Sequence, residues 1–581
     1  MAFFTIEKLE IQLQQIYKQI IRGEFNFPKF KYHVGDCPGA EKVDFDDASW
    51  EDFQVGGSWG GYDVTAWFRL KAAIPAGWEN QCLGLEFKMG SCDGSESSAE
   101  TMLYVNGIEL QGLDRWHEEA WLPPEYIQKG EFTIALKAWS GVMGAPDQRR
   151  FSLARLVCRD EACEKVYYLG STLIQVVRTL DENDLRRIRI LQSLYQAFLL
   201  INFINPGSES FYETVREALD DLQNKMEEWS GFTEIKPVVT CVGHAHLDMA
   251  WLWRMCHTRE KAARTFATVL HLMRQYPDYR FLHSSPALYQ FLRQDHPQLY
   301  ERVKEKIARG EWEITGGTWV EMDTNCPSGE SLVRQFLHGR KFVRDEFNRV
   351  MELLWLPDVF GYSAALPQII LKSGLKYFMT TKISWSQFNR FPYDTFHWRG
   401  LDGSEVLTHF VTTPCGEYRF YTYNGLTRPQ DVQGIWKEYQ QKDLNDELLL
   451  AFGWGDGGGG PTREMLEWSL AQRNLPGQPY VRLDKAEPFF DRLAKRLEGK
   501  DLPVWDGELY LEYHRGTYTS QAAVKRANRK VEILYHNAEW LASLADILTG
   551  LAAYPAEDLN AGWETILLNQ FHDILPGSSI H

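Results

Sequence analysis

Between Lys236 and Leu483 short apolar runs alternate with amphipathic stretches, and this rhythm restricts the fold more than any other feature of the chain. The runs are Val238–Val242, Tyr279–His283, Trp312–Thr315, Leu353–Leu356, Lys376–Thr380, Val406–Val411, Leu448–Phe452 and Tyr480–Leu483. Thr258–Gln275, Pro297–Ala308 and Leu332–Val350 carry helical spacing between them. Strands that alternate with helices build a parallel sheet or a barrel, because a parallel connection must cross back over one face. In either arrangement functional side chains gather just past the carboxyl ends of the strands. Two unusual segments fall there: His244-Ala-His-Leu-Asp248, closely followed by Trp251, and Pro357-Asp-Val-Phe-Gly-Tyr-Ser363.

The flanking regions have other rhythms. Ala66–Leu70, Gln81–Phe87, Thr101–Gly107 and Phe132–Ala138 are short apolar runs broken by Gly, Pro, Asn and Asp. They predict an antiparallel, jelly-roll-like β-sandwich over residues 1–164, preceded by a helix. Such a module either binds carbohydrate or braces the rest of the chain. Helical periodicity in Asp184–Phe203 and Phe211–Trp229 predicts a helical connector over 165–235. The α/β unit then occupies 236–512. Residues 513–581 read as a helical bundle segment, with Ser520–Leu548 ending at Gly550.

Composition excludes several classes. The charge of −17 disfavours nucleic acid and anionic membrane as partners, and no apolar run approaches the roughly 18 residues of a membrane span. Nine scattered cysteines without CxxC spacing suit reduced thiols. The start, Met1-Ala-Phe-Phe-Thr-Ile-Glu-Lys, lacks a basic leader region and predicts a cytoplasmic enzyme, with vacuolar delivery as the alternative. The 21 Trp and 26 Tyr suit a sugar ligand, since aromatic faces stack on pyranose rings, but equally suit ordinary cores.

In an extended segment alternate side chains share a face, so His246 and Asp248 can point at one ion, and His572 of Gln570-Phe-His-Asp573 can close a three-ligand set. Asp358 follows a run that should be buried; it is ion-paired, metal-bound or catalytic, or else forms an Asx turn after Pro357. Gly453-Trp-Gly-Asp-Gly-Gly-Gly-Gly-Pro461 lacks the Gly-Lys-Ser/Thr of a phosphate loop; its glycines either let backbone approach a ligand beside Asp456 or form a simple turn. Asp506, Glu508 and Glu512 alternate along a strand-like stretch. They therefore share one face, where one of them serves as a proton donor or all three line a solvated edge.

The HxHxDxxW, WxPDxFGxS, GWGDGGGGPT, GELYLEYHRGTYTSQ and FHDxxPGSS segments, in this order, resemble glycoside hydrolase family 38, the α-mannosidases, in its cytosolic and vacuolar branch. The likeness covers most of residues 236–581. It implies a central, barrel-like β/α catalytic domain of about seven strands. It also implies a retaining α-mannosidase that removes terminal α-linked mannose from oligosaccharides at one zinc ion, with cobalt as an acceptable substitute. Carried over by matching segments, His246, Asp248, Asp358 and His572 would bind the metal, and Asp358 would also be the nucleophile. Trp251, Phe360, Asp456 and Asp573 would contact the sugar. Glu508 is the best-matching acid/base, although relatives usually carry Asp there, so Asp506 and Glu512 remain alternatives. Relatives continue into β-rich domains, which implies that this chain continues past residue 581; self-association is a further expectation. Two rivals stand beside this reading. His244-Ala-His246 also fits metal-dependent amidohydrolases and deacetylases, and an inert scaffold could retain the aromatics purely for sugar binding.

Overall fold

The computed structural model describes residues 5–90, 99–142, 148–230, 236–416, 418–550 and 554–580. Cys92 and His581 lie outside them; the remaining eight cysteines are all free thiols. No described helix is long and apolar enough to cross a membrane.

The sandwich owes its form to two-residue periodicity with apolar side chains on both faces. Thr65–Ala73 pairs antiparallel with Glu131–Trp139, which pairs with Glu100–Val105, which pairs with Ile108–Leu113, in one six-stranded sheet. Phe68, Leu103 and Leu136 point inward and pack on Leu85, Phe87 and Leu156 from a four-stranded sheet. Their neighbours Trp67, Met102, Tyr104 and Ala135 point outward into the core of the α/β unit instead. The outer face is therefore a docking face. The strand Ile108–Leu113 lies against the helix Met255–Gln275 so closely that a Cβ on Gly112 would sit 2.8 Å from that of Arg264.

Helices Thr5–Lys18, Glu161–Thr179, Leu185–Leu200 and Glu209–Ser230 share one core that includes Leu13, Val166, Leu173, Phe198 and Leu222. The leading helix thus belongs with the connector, through Leu9, Leu13 and Ile16. Glu161–Thr179, which no periodic signal predicted, starts at an Asp160 cap that accepts from Cys163 N at 2.9 Å.

All eight expected strands of the α/β unit form. Trp312–Ile314, Phe281–His283, Val238–His244 and Glu447–Phe452 are neighbours in one parallel sheet, and Tyr480–Leu483 also pairs with Val238–His244. Leu353–Trp355, Tyr377–Thr380 and Glu405–Phe410 begin a second parallel set, extended by the antiparallel Thr395–Arg399, which was not expected, and by Val504–Asp506, where the strand-like stretch begins. Among the described residues one parallel bridge, Gly316 to Leu354, joins the sheets.

Helices Ala522–Thr549 and Ala556–Asn569 complete the described chain. Glu532, buried on the first, accepts from Ser328 N, Ser331 Oγ and Gln570 Nε2. Asp323 N donates to the Gln570 carbonyl at 2.8 Å, so the turn that carries His572 is fixed to the strand-end loops. Trp540, Leu541, Ile547 and Leu548 of the longer helix are exposed.

Candidate functional site

Four side chains from three distant segments converge at the carboxyl ends of the parallel strands. His246 Nε2 lies 3.0 Å from Asp248 Oδ1, and His572 Nε2 lies 3.6 Å from the same oxygen and 3.8 Å from Asp358 Oδ2. The imidazoles of His246 and His572 stack at 5.2 Å, and all four residues are buried. His246 and Asp248 extend directly from Val238–His244, Asp358 follows Leu353–Trp355, and His572 follows the helix Ala556–Asn569.

The protonation pattern leaves the centre rich in lone pairs. His572 Nδ1 lies 2.7 Å from the Glu321 carbonyl, which can only accept, so the proton sits on Nδ1 and Nε2 faces the carboxylates as a base. Nε2 has no hydrogen-bond partner among the described residues. His246 Nδ1 likewise lies 3.0 Å from Glu321 Oε2, which turns its Nε2 toward Asp248. His246 Nε2 hydrogen-bonds Asp248 Oδ1 at 3.0 Å, so carboxylates face both nitrogens of the ring. Burial opposes charge on His246, yet Glu321 and Asp248 outweigh it and hold its affinity for a proton well above the ordinary imidazole value. The donor atoms of His246, Asp358 and His572 lie within 4.8 Å of one another, as do those of Asp248, His572 and Asp573, so this buried His/Asp cluster could hold a metal ion.

Asp358 is held ionised. Burial alone would raise its carboxyl, but Lys382, whose Nζ is 2.6 Å from Oδ1, together with His246 and His572, keeps it below the usual value. No backbone N–H donates to this side chain among the described residues, so the carboxylate is ion-paired and the Asx turn is absent. Lys382 in turn lies over the rings of Trp385 and Phe360, at 4.7 and 5.3 Å. Phe360 packs edge-on against His572 at 5.7 Å, and half-buried Trp251 accepts from Ile580 N through its carbonyl.

Asp456 and Asp573 flank the cluster. Asp456 sits at φ +59 in the glycine-rich loop, accepts from Tyr423 Oη at 2.6 Å, and receives Asp248 N at its carbonyl. Burial, then Asp248 and Asp358, push its carboxyl up to about 6. Asp573, 3.8 Å from His572 Nε2, is pushed to about 7 by burial and then by Asp248.

The other expectations turn out differently. His244 does not join the cluster: the Trp355 indole donates to its Nε2 at 3.1 Å, which removes the two-histidine centre that an HxH hydrolase needs. Asp506, Glu508 and Glu512 do not share a face. The strand ends at Asp506, Gly507 takes φ +116, and Leu509 starts a fresh antiparallel bridge to Tyr362, so the alternation is reset. Asp506 pairs in solvent with Arg399. Glu512 is buried and accepts from the backbone of Gln387 and Phe388 and from Asn389 Nδ2, which together hold its carboxyl low. Glu508 is exposed, and no described hydrogen bond or ion pair connects its carboxylate to Asp358.

Residues 236–508 match the glycosyl hydrolases family 38 N-terminal domain, residues 512–581 the alpha mannosidase middle domain, and residues 30–150 the alpha-mannosidase jelly roll domain. Alpha-mannosidase G of Dictyostelium discoideum is 35% identical over 99% of this chain and 53% of its own length. The chain belongs to glycosyl hydrolase family 38. Human alpha-mannosidase 2C1 is 35% identical over 93% of the chain and 51% of that protein, and the Saccharomyces cerevisiae alpha-mannosidase is 35% identical over 89% and 49%. The chain therefore spans about half the length of the curated relatives it matches. An alpha-mannosidase from Enterococcus faecalis V583 has the same fold, with a TM-score of 0.51 and 22% identity over 59% of this chain and 39% of that one.

Three residues of this family 38 site escaped the sequence reading. Lys382 follows Tyr377–Thr380 at the same strand end as Asp358, but it belongs to no motif. Glu321 and Tyr423 lie on loops with no spacing signal.

Proposed function

We propose that this chain carries the catalytic centre of a retaining α-mannosidase acting on terminal α-linked mannose of oligosaccharides. The observation that supports this most strongly is the Asp358 carboxylate, kept ionised by Lys382 while facing the His246, Asp248 and His572 donor set. A hydroxide-using hydrolase has no need for a second, dedicated anionic nucleophile, and a pure binding module has no need for the orienting contacts from Glu321.

Zinc held by His246, Asp248, Asp358 and His572 would supply charge stabilisation and orientation to sugar hydroxyls. Phe360 and Trp251 present apolar faces to the ring, and Asp573 and Asp456 offer acceptors to its hydroxyls. Asp358 attacks the anomeric carbon; the glycosidic C–O bond breaks, and a neighbouring acid delivers its proton to the leaving oxygen. We assign that acid to Asp456 in place of Glu508. Asp456 stands inside the cluster, its carboxylate within 4.8 Å of the donor atoms of His246 and Asp248 and on the loop that faces them, whereas Glu508 is exposed and has no described contact with the cluster. Asp456 then takes a proton from water as the water displaces Asp358 from the sugar.

Two coarser features accompany this reading. The Gly316–Leu354 bridge supports treating the two sheets as arcs of one barrel-like wall, and eight free cysteines suit a reducing, cytoplasmic setting. The stereochemistry of turnover tests the proposal: NMR of the first product should show the α anomer of mannose, and a β anomer would exclude a covalent intermediate.

A further inference from the structure

The glycine-rich loop that carries Asp456 combines internal hydrogen bonds with contacts from outside it. Trp454 and Gly460 hydrogen-bond to each other in both directions at 2.9 Å and pinch off a tip that contains Gly455, Gly457, Gly458 and Gly459. Glycine carries the largest backbone entropy of any residue, so such a tip needs restraint from outside. Asn424 supplies one restraint, its Oδ1 accepting from Gly455 N at 2.7 Å.

Tyr423 Oη and Asp248 N, which donate to the Asp456 side chain and carbonyl, supply two more, and further restraints come from the sandwich. The ring of Trp116 stacks on that of Trp454, with centroids 4.0 Å apart and planes at 11°. His117 Nε2 lies 3.0 Å from the Pro461 carbonyl, and its Nδ1 lies 3.0 Å from Asp114 Oδ1. Both ring nitrogens face acceptors, so the imidazole donates twice and links Asp114 to the end of the loop. Asp114 fixes this arrangement by accepting from Trp116 N and His117 N. The fit is close: a Cβ on Gly459 would lie 2.6 Å from Asp114 Oδ2 and 3.0 Å from His117 Cε1. Glu100, on another sandwich strand, pairs with Lys261, whose Nζ lies 2.9 Å from where a Cβ of Gly457 would sit.

We propose that the sandwich loop Asp114–His117 is a positioning element of the catalytic centre, with Trp116 and His117 clamping the glycine-rich loop so that Asp456 meets the leaving oxygen. The inference rests on the assignment of Asp456 as proton donor. It gives the sandwich a role in the chemistry without any contact with sugar. Trp116 suits the test because 41% of the residue is exposed and, among the described residues, the only other group over its ring is the Arg115 guanidinium at 4.8 Å, so its removal leaves no hole in a core.

The experiment compares Trp116→Ala, Trp116→Phe and Asp456→Asn in the full chain on two substrates, dinitrophenyl α-mannoside and an α-linked mannobiose. The first has a leaving group that needs no proton; the second has one that does. A displacement of Asp456 by about 1 Å costs up to roughly 100-fold, so Trp116→Ala should lose about tenfold or more in kcat on the mannobiose and less than about threefold on the aryl substrate. Metal content should stay unchanged and Trp116→Phe should restore most of the loss. In the Asp456→Asn background Trp116→Ala should add nothing further. Should Trp116→Ala fold poorly, Gly459→Ala displaces the same loop from the opposite side and should give the same selective loss. Equal losses on both substrates, or none, would overturn the positioning role. Undiminished mannobiose cleavage by Asp456→Asn would overturn the assignment of Asp456 itself, whatever Trp116→Ala does.

Discussion

Glu321 fixes both histidines of the cluster, and by different groups, which makes its contribution separable. Its Oε2 lies 3.0 Å from His246 Nδ1, its Oε1 accepts from Ser284 Oγ, and its backbone carbonyl receives His572 Nδ1 at 2.7 Å. Glu321→Gln keeps the carbonyl and the side-chain shape but replaces a charge-assisted hydrogen bond by a neutral one. Charged hydrogen bonds contribute about 1.5–3 kcal/mol and neutral ones about 1, so the change costs roughly 1 kcal/mol. That corresponds to about a fivefold to tenfold loss of metal affinity. Glu321→Ala removes the bond entirely and frees the ring to rotate, and should cost about 10- to 100-fold, the range typical of residues behind metal ligands. Competition against a chromogenic chelator measures both affinities without reference to turnover. His572→Ala is the internal standard, because loss of a direct ligand must exceed either effect. Glu321→Ala with wild-type metal affinity and intact circular dichroism would refute the claim that this residue orients the donor set.

Other outcomes follow from the same geometry. Lys382→Met leaves the buried Asp358 carboxylate without its cation and should lower the stability of the metal-free chain by about 3 kcal/mol in a denaturant melt; added zinc should recover more stability than it does in the parent chain. Glu508→Gln should keep kcat on mannobiose within about threefold, since an exposed carboxylate outside the cluster moves no proton in the reaction; a collapse would return the acid/base role to it. Asp394 is a pH probe remote from the cluster. Burial raises its carboxyl from 3.8 to about 6, so the folded state pays for ionising it, and stability should fall as pH rises from about 4 through 6, by at most about 3 kcal/mol. Asp394→Asn removes that dependence, so its melting-temperature advantage over the parent should grow between pH 4 and 7.5 and not shrink.

The sequence exposes those parts of the site that lie directly on strand ends. His246, Asp248 and Asp358 each follow an apolar run whose burial fixes where the next residues emerge, and His572 shares a short polar segment with Asp573. Lys382 lies equally close to a strand end, but a lone lysine after Thr-Thr carries no pattern. Glu321 is five residues beyond the bridge at Gly316 that joins the two sheets, and nothing local predicts that its carbonyl and carboxylate both reach histidines. The expectation that Asp506, Glu508 and Glu512 share a face fails for a specific reason: alternation assumes an unbroken strand, and Gly507 at φ +116 breaks it. Thr395–Arg399 is missed because an antiparallel strand interrupts the strand–helix rhythm used to find the others. The second buried face of the sandwich is invisible for a similar reason, since apolar residues such as Trp67 and Met102 read as irregular alternation until the α/β unit is seen to cover them.

The account stands on Asp358 as the nucleophile. Incubation with a slow fluorinated α-mannosyl donor, followed by peptide mass spectrometry, reads this directly. A mannosyl adduct on Asp358, absent from Asp358→Asn while the same adduct still forms in Glu508→Gln, is the predicted result. A label on another residue, or no label while the donor is consumed, would contradict it.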